Sequence, residues 1–149
     1  MAKALIGAGC FWSVEEYFRN LDGVEKTEVG YSGGETINPS YEEVCTGNTK
    51  HVEVVLIYYN EANLKYDEII HNFWQCHDPT QLNRQGLDIG SQYRSVIFYY
   101  DQNQKDIAEK SILEAQKNIK NKIVTEISEA KEFFRAEEYH QCFIAKKKL

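Results

Sequence analysis

The sequence lacks any pair of cysteines with the spacing of a metal site or a redox motif. Its four cysteines are Cys10, Cys45, Cys76 and Cys142, and none forms a C-x-x-C pair. Neither a zinc ribbon nor a thioredoxin motif is therefore indicated. Cys76 and His77 are adjacent, but no second pair of ligands has short metal-site spacing, which leaves a structural zinc as a minor alternative.

Basic patches and long apolar segments are also missing. The chain has 23 acidic and 17 basic side chains and a net charge of −6, which argues against a nucleic-acid-binding surface. No apolar stretch approaches the length of a transmembrane helix, and the N-terminus lacks the apolar core of a signal peptide. We therefore expect a cytoplasmic protein that has neither a nucleic acid nor a membrane as a partner.

The hydrophobic pattern predicts one α+β domain over residues 1–149. Hydrophobic residues make up 42% of the chain and charged residues 27%, as in ordinary globular proteins. Alternating or helical periodicity predicts strands at 3–8, 24–31, 51–59, 94–100 and 123–127, and helices at 14–21, 66–77 and 106–120. This order is close to a split βαβ pattern. We predict a two-layer sandwich with a ferredoxin-like mixed β-sheet core and long decorating loops.

A small-residue turn at 7–9 joins the first strand to a helix and carries Cys10, Phe11 and Trp12. A cysteine at the start of a helix faces free backbone N–H groups and the positive end of the helix dipole. The pattern therefore predicts a thiolate with a pKa below that of a free thiol, beside an aromatic wall. The alternative is an inert, buried cysteine with two core aromatic residues.

Glu53 is the second candidate for chemistry. It shares a strand face with Val55 and Ile57 near the start of a strand that is apolar on both faces. Burial raises the pKa of a carboxyl group, and a protonated acid can donate to a developing oxyanion. The alternative is a glutamate at the end of a strand that faces solvent.

Four segments together resemble the A-class peptide methionine sulfoxide reductases. The first is Gly-Cys-Phe-Trp continuing through Glu15 and Phe18, and the others lie at 38–53, 72–95 and 136–141. One position departs from the family pattern, because Lys50 stands where the family usually has glycine directly before the histidine. The loop ahead of Glu53 thus carries a side chain and a charge that the family pattern lacks.

The resemblance implies reduction of methionine S-sulfoxide, free or in proteins, through a cysteine sulfenic acid. It implies regeneration by thioredoxin or another dithiol, without metal or organic cofactor. The implied site has a nucleophile, a proton donor, two phenolic hydrogen-bond donors, two aromatic walls for the methyl group and a lining carboxylate. The nucleophile is Cys10 and the proton donor is Glu53. The phenolic donors are Tyr41 and Tyr93, the aromatic walls are Phe11 and Trp12, and the lining carboxylate is Asp88.

The remaining cysteines are candidates for the thiol that resolves the sulfenic acid. Many members of the family carry this thiol on a glycine-rich tail that the sequence does not show. We expect Cys45 and Cys76 to be ordinary core thiols. Cys142 follows the last predicted strand on chain that we expect to move, so we predict it to be the resolving thiol.

Two other functions are compatible with parts of the pattern. A thiol peroxidase or redox-sensing protein would need Cys10 but neither the aromatic pair nor Glu53. A non-catalytic module that binds methionine or peptides would need the aromatic pocket but not Cys10. Turnover of methyl sulfoxides distinguishes both from a reductase.

Overall fold

The computed structural model describes residues 1–148, and Leu149, the last residue of the predicted domain, lies outside the described residues. The fold is α+β, with a six-stranded mixed sheet, a two-stranded hairpin and five helices in this part of the chain. The strands are β1 (Ala2–Ala8), β2 (Val24–Ser32), β3 (Val52–Tyr59), β4 (Arg84–Gln85), β5 (Asp88–Ile89), β6 (Ser95–Tyr99), β7 (Glu126–Glu129) and β8 (Phe134–Arg135). The helices are α1 (Phe11–Arg19), α2 (Tyr41–Cys45), α3 (Tyr66–Gln75), α4 (Gln102–Gln116) and α5 (Phe143–Lys147).

The sheet has the strand order β7-β6-β1-β3-β2-β8. β1 lies between β3 and β6 and is antiparallel to both, and β2 is antiparallel to β3. Among the strands of residues 1–148, only β7 is parallel to its neighbour in the six-stranded sheet, β6. The β4–β5 hairpin forms a separate small sheet. The C-terminal end of β1, which leads into Cys10, therefore lies beside the start of β3, where Glu53 is found.

The two faces of the sheet are buried in different ways. Ile6, Val55 and Ile57 belong to a core that also contains apolar residues of α1, α3 and α4. Val54 and Leu56 point to the other face, into a smaller cluster on which Ala130 and Phe133 pack. Because side chains alternate along a strand, Glu53 points to the helical face. Both the strand and this orientation agree with the prediction.

Several boundaries differ from the prediction. α4 begins four residues earlier than expected, because the Asp101 carboxylate accepts the backbone N–H of Gln104 at 2.8 Å and caps the helix. The predicted strand at 123–127 is observed at 126–129. α2 lies in a region that we expected to be a loop; its signal is the capping box formed by Ser40 and Glu43. β8 was also not predicted.

Candidate active site

Cys10 caps the N-terminus of α1 at the end of a tight turn. Its carbonyl oxygen accepts the N–H of Val14 at 3.3 Å and the hydroxyl of Ser13 at 3.1 Å. Gly9 has a φ of 102°, and a Cβ atom on it would lie 2.8 Å from Cγ of Gln85. Only glycine satisfies both constraints. The β4–β5 hairpin therefore packs directly on the turn and leaves the Cys10 thiol half-buried.

The expectation of a lowered pKa for Cys10 is wrong. Burial raises the pKa of the thiol to about 11, and the negative charge of Glu53 adds to this effect. The backbone N–H groups of Trp12 and Ser13 act in the opposite direction, as the helix-terminus argument predicts, but they do not offset the desolvation. In the free protein near neutral pH, Cys10 is a protonated thiol.

Glu53 lies directly beside this cysteine. Its carboxyl oxygen Oε1 accepts the backbone N–H of Phe11, the first residue of α1, at 3.1 Å. Only 2% of the residue is exposed. Burial raises the pKa of Glu53 to about 8, against the lowering effect of the Phe11 hydrogen bond, and Asp88 adds a smaller upward shift. The predicted burial and raised pKa are both found, so at neutral pH a protonated acid adjoins the thiol.

Two tyrosines flank the carboxyl group of Glu53. Tyr41 is the first residue of α2, and Tyr93 ends a 3₁₀ turn at Ser91–Tyr93. Burial raises the pKa of both phenols, to about 12 for Tyr93, and the charge of Glu53 raises each of them further. Tyr41 and Tyr93 therefore present protonated hydroxyl groups near Glu53.

Asp88 lies at the rim of the site, on the β4–β5 hairpin. It pairs across the hairpin with Gln85, the residue that packs on Gly9. Cross-strand partners share a face, so Asp88 is on the side of the hairpin that faces Cys10. Its charge raises the pKa of both Cys10 and Glu53, although the residue itself is exposed.

The predicted aromatic wall is divided between core and surface. Phe11 is 1% exposed and packs against Tyr31, with ring centroids 5.8 Å apart. Trp12 is only partly buried, and its ring stacks on Phe143 at a centroid distance of 3.9 Å. The open aromatic surface thus comes from Trp12, and the role of Phe11 in binding the methyl group stays a prediction.

Comparisons with known proteins identify the family of this chain. The family model of peptide methionine sulfoxide reductase matches residues 2–149. The chain belongs to this family. It is 55% identical over 144 residues to a peptide methionine sulfoxide reductase MsrA of Methanococcus maripaludis, covering 97% of this chain and 92% of the relative.

Solved structures give the same result for the fold. The reduced form of Mxr1 from Saccharomyces cerevisiae superposes with a TM-score of 0.94 at 35% identity, covering 99% of this chain and 86% of Mxr1. Mxr1 has also been crystallised in complex with Trx2; that structure matches with a TM-score of 0.70 at 26% identity, over 93% of this chain and 83% of the Mxr1 chain.

In this member of the reductase family, the C-terminal segment forms part of the site. Glu137 accepts the hydroxyl of Tyr31 and the backbone N–H of Tyr41, each at 2.9 Å. The Gln141 side chain makes two hydrogen bonds with the backbone of Val29, each of 2.9 Å: its Oε1 accepts the N–H, and its Nε2 donates to the carbonyl. Sequence reasoning gave these residues no role, although the motif at 136–141 marked their segment.

The setting of Cys142 differs from the expectation of a mobile thiol. Its backbone N–H donates to Oε1 of Glu15 at 2.7 Å, and Thr27 donates to the other oxygen of Glu15 at 2.7 Å. Glu15 is 1% exposed. Burial, followed by the charge of Glu15, raises the pKa of the Cys142 thiol. Cys142 is therefore fixed to α1 by a buried carboxylate.

The other two cysteines differ from each other. Cys45 is exposed at the end of α2, so the expectation of a packed core thiol is wrong there. It lies close enough to the Tyr41 side chain for that group to affect its pKa, which places it near the site. Cys76 is half-buried, and its thiol donates to the carbonyl of Phe73 at 3.3 Å, in keeping with a structural role.

Among residues 1–148, no group of three or more histidine, cysteine, aspartate or glutamate side chains is arranged to hold a metal ion. Over the same residues, no helix combines the length and the apolar character that a membrane span requires.

Proposed function

We propose that this protein reduces methionine S-sulfoxide, free or in proteins, to methionine, as a single catalytic domain over residues 1–149. The observation that carries the proposal is the buried carboxyl group of Glu53, held on the first N–H of α1 next to the Cys10 thiol. A sulfoxide that approaches the N-terminus of α1 meets two groups there. One is the Cys10 thiol, which is the nucleophile, and the other is the protonated carboxyl group of Glu53. Membership of the peptide methionine sulfoxide reductase family supports this chemistry.

The oxygen atom passes from one sulfur to the other. The Sγ atom of Cys10 attacks the sulfoxide sulfur while Glu53 gives its proton to the sulfoxide oxygen. The attack forms an Sγ–S bond, and the protonated oxygen becomes a hydroxyl group on the substrate sulfur. This hydroxyl then transfers to Sγ: the S–O and Sγ–S bonds break, an Sγ–O bond forms, methionine leaves, and Cys10 becomes a sulfenic acid. The thiol proton of Cys10 restores the carboxylic acid of Glu53. The substrate sulfur gains two electrons and the Cys10 sulfur loses two, so the step is balanced.

The phenolic hydroxyls of Tyr41 and Tyr93 would hydrogen-bond to the same oxygen. Donors that are already aimed at the developing negative charge stabilise a transition state without reorganising. The raised pKa values of both phenols keep them as donors over the working pH range. Asp88, at the rim, would accept a hydrogen bond from a water molecule or from an amide N–H of the substrate.

Thiols then return Cys10 to its starting state. A second thiol condenses with the sulfenic acid and releases water, and a dithiol reduces the resulting disulfide by exchange. Thioredoxin is our proposed dithiol, because the related Mxr1 forms a complex with Trx2. The cytoplasmic location predicted from the sequence stays a prediction and agrees with a need for reduced dithiols.

Turnover of separate sulfoxide epimers tests the proposed function. With dithiothreitol as reductant, we expect methionine to form from the S-sulfoxide and not from the R-sulfoxide. Hydrogen peroxide serves as the control substrate, because a thiol peroxidase would consume it and leave both sulfoxides unchanged. Turnover of peroxide alone would overturn the proposal.

Trp12→Ala should weaken substrate binding. The methyl group of the sulfoxide would pack on the open surface of Trp12, so removing the indole should raise KM about tenfold, the value of burying a methyl-sized apolar group. A smaller change is expected in the alkylation of Cys10. Trp74→Phe is the matched control, because the indole N–H of Trp74 donates a hydrogen bond to Ser111 on α4. An unchanged KM in Trp12→Ala would refute the methyl pocket.

Cys142 remains our proposed resolving thiol, but it must first leave Glu15. Reaction with one equivalent of methionine sulfoxide without reductant should give a loss of two hydrogens and a linked Cys10–Cys142 peptide in mass spectrometry. A stable gain of one oxygen on Cys10 would contradict this and indicate direct reduction by an external thiol. A linked Cys10–Cys45 peptide would also contradict it, since Cys45 is exposed near Tyr41.

We also interpret the central sheet as a ferredoxin-like core. Without the hairpin strands and the two edge strands, the order is β6-β1-β3-β2 with all neighbours antiparallel. α1 and α3 are the two crossover helices, and they belong to the core on one face of the sheet. The two-layer description rests on that one-sided placement.

A further inference from the structure

His140 makes a specific contact with the aromatic wall. The indole Nε1–H of Trp12 donates to Nδ1 of His140 at 2.9 Å. An acceptor nitrogen carries no proton, so this bond selects the neutral imidazole with its hydrogen on Nε2. His140 is 0% exposed. The bond therefore joins the partly open ring of Trp12 to a fully buried group.

Aromatic rings enclose the imidazole. The centroids of Tyr41 and Tyr139 lie 4.5 and 4.0 Å from that of His140, and the centroid of Phe11 lies 5.2 Å away. Nε2 of His140 is buried and has no hydrogen-bond partner among the described residues. A buried polar atom without a partner is unfavourable. The core keeps a histidine at this position although a hydrocarbon ring would pack there without that loss, and the one polar contact it gains is to Trp12.

We propose that His140 is a positioning residue, which fixes the Trp12 indole in its substrate-binding orientation and releases it when Nδ1 is protonated. The proposal rests on the proposed function, because Trp12 is taken as the wall that receives the methyl group of the sulfoxide. His140 touches no reacting atom and acts only through Trp12. Stacking on Phe143 limits the tilt of the indole, and the hydrogen bond fixes its rotation about the stacking axis.

Protonation has a defined direction in this environment. The facing groups are Glu42 and Tyr41 from α2, Glu137 and Tyr139 from the C-terminal segment, and Tyr31 from β2, which donates to Glu137. The charges of Glu137 and Glu42 favour the imidazolium, but burial outweighs them and lowers the pKa of His140. His140 therefore stays neutral, and the hydrogen bond from Trp12 persists, at the pH where histidine ordinarily titrates and above it. Both are lost only at lower pH.

The indole N–H signals in an ¹H–¹⁵N spectrum test the bond directly. The chain has two tryptophans, Trp12 and Trp74. Trp74 donates to Oγ of Ser111 at 3.1 Å and serves as the internal reference. On acidification below pH 6.5 the Trp12 signal should move while the Trp74 signal stays. The inference is overturned if the two signals move together or if neither moves before the protein unfolds.

Two variants separate the hydrogen bond from the packing. His140→Phe keeps a ring among the aromatic neighbours and removes the acceptor, whereas His140→Asn keeps an acceptor oxygen near the position of Nδ1. The net free energy that one hydrogen bond contributes corresponds to about a three- to tenfold change in an equilibrium constant. We expect His140→Phe to raise KM by that factor, with kcat within about twofold. It should also shift the Trp12 signal and abolish its titration. His140→Asn should restore most of the KM.

The outcomes distinguish this inference from the proposed function. If Trp12→Ala raises KM but His140→Phe changes neither KM nor the Trp12 signal, only the role of His140 is refuted. If Trp12→Ala leaves KM unchanged, the methyl pocket itself is refuted. Equal losses of kcat in His140→Phe and His140→Asn would mean that the histidine maintains the fold, and would also overturn the inference.

Discussion

Cys10→Ser is expected to abolish the reduction of methionine sulfoxide and to leave the fold intact. A serine hydroxyl stays protonated and is a far weaker nucleophile, so turnover should fall by roughly 10⁴-fold or more. The fold should persist because Cys10 caps α1 through its backbone carbonyl, which serine retains, and because its side chain is only half-buried. Methionine formation with dithiothreitol measures the first effect, and thermal unfolding measures the second.

Cys45→Ser and Cys76→Ser are the matched controls for this variant. Each removes one thiol, exposed in the first case and half-buried in the second. In a single turnover without reductant, both should still form one equivalent of methionine, because the first step needs only Cys10. Substantial methionine formation by Cys10→Ser would remove Cys10 from the mechanism.

Local periodicity predicted the elements that place Cys10 and Glu53. The side chains of β3 alternate between two apolar faces, and this alternation predicted the face of the sheet to which Glu53 points. α3 begins at Tyr66, as its apolar spacing predicted. Where a polar cap rather than an apolar stripe sets the boundary, as Asp101 does for α4, the periodic signal misplaced it.

The properties that sequence reasoning missed depend on contacts between distant parts of the chain. The pKa of Cys10 is set mainly by burial, and the sequence indicated only the opposing helix terminus. The Trp12–His140 bond spans 128 residues, and no local pattern predicts it. The same holds for Glu15 and Cys142, which are 127 residues apart.

Lys50 shows how a departure from a family pattern is absorbed. It has a φ of 63°, in the left-handed region that glycine occupies without a steric penalty. The backbone ahead of Glu53 therefore keeps the conformation that glycine favours, and the lysine side chain is exposed beside Glu35, with Nζ 3.6 Å from its carboxylate. The lysine thus places an additional positive charge at the surface, paired with Glu35.

Glu53→Gln is expected to slow the sulfoxide step by about 10²- to 10⁴-fold, the usual contribution of a positioned acid. The amide oxygen can still accept the backbone N–H of Phe11, so the local structure should persist. The amide cannot deliver a proton to the sulfoxide oxygen. Alkylation of Cys10 by iodoacetamide requires only the thiolate, and it should be at least as fast in the variant, because the charge of Glu53 contributes to the raised pKa of Cys10.

The pH dependence of this difference identifies the role of Glu53. Its carboxyl group is protonated below a pKa of about 8 and loses the proton as the pH rises through that value. The ratio of wild-type to variant rates in a single turnover should therefore be constant at lower pH and shrink above pH 8. Ionised Glu53 also suppresses the Cys10 thiolate in the wild type alone, so each rate is first divided by the rate of Cys10 alkylation at the same pH. A ratio that does not change across pH 8, or an equal loss in sulfoxide reduction and alkylation, would show that Glu53 acts on the Cys10 thiol rather than on the oxygen.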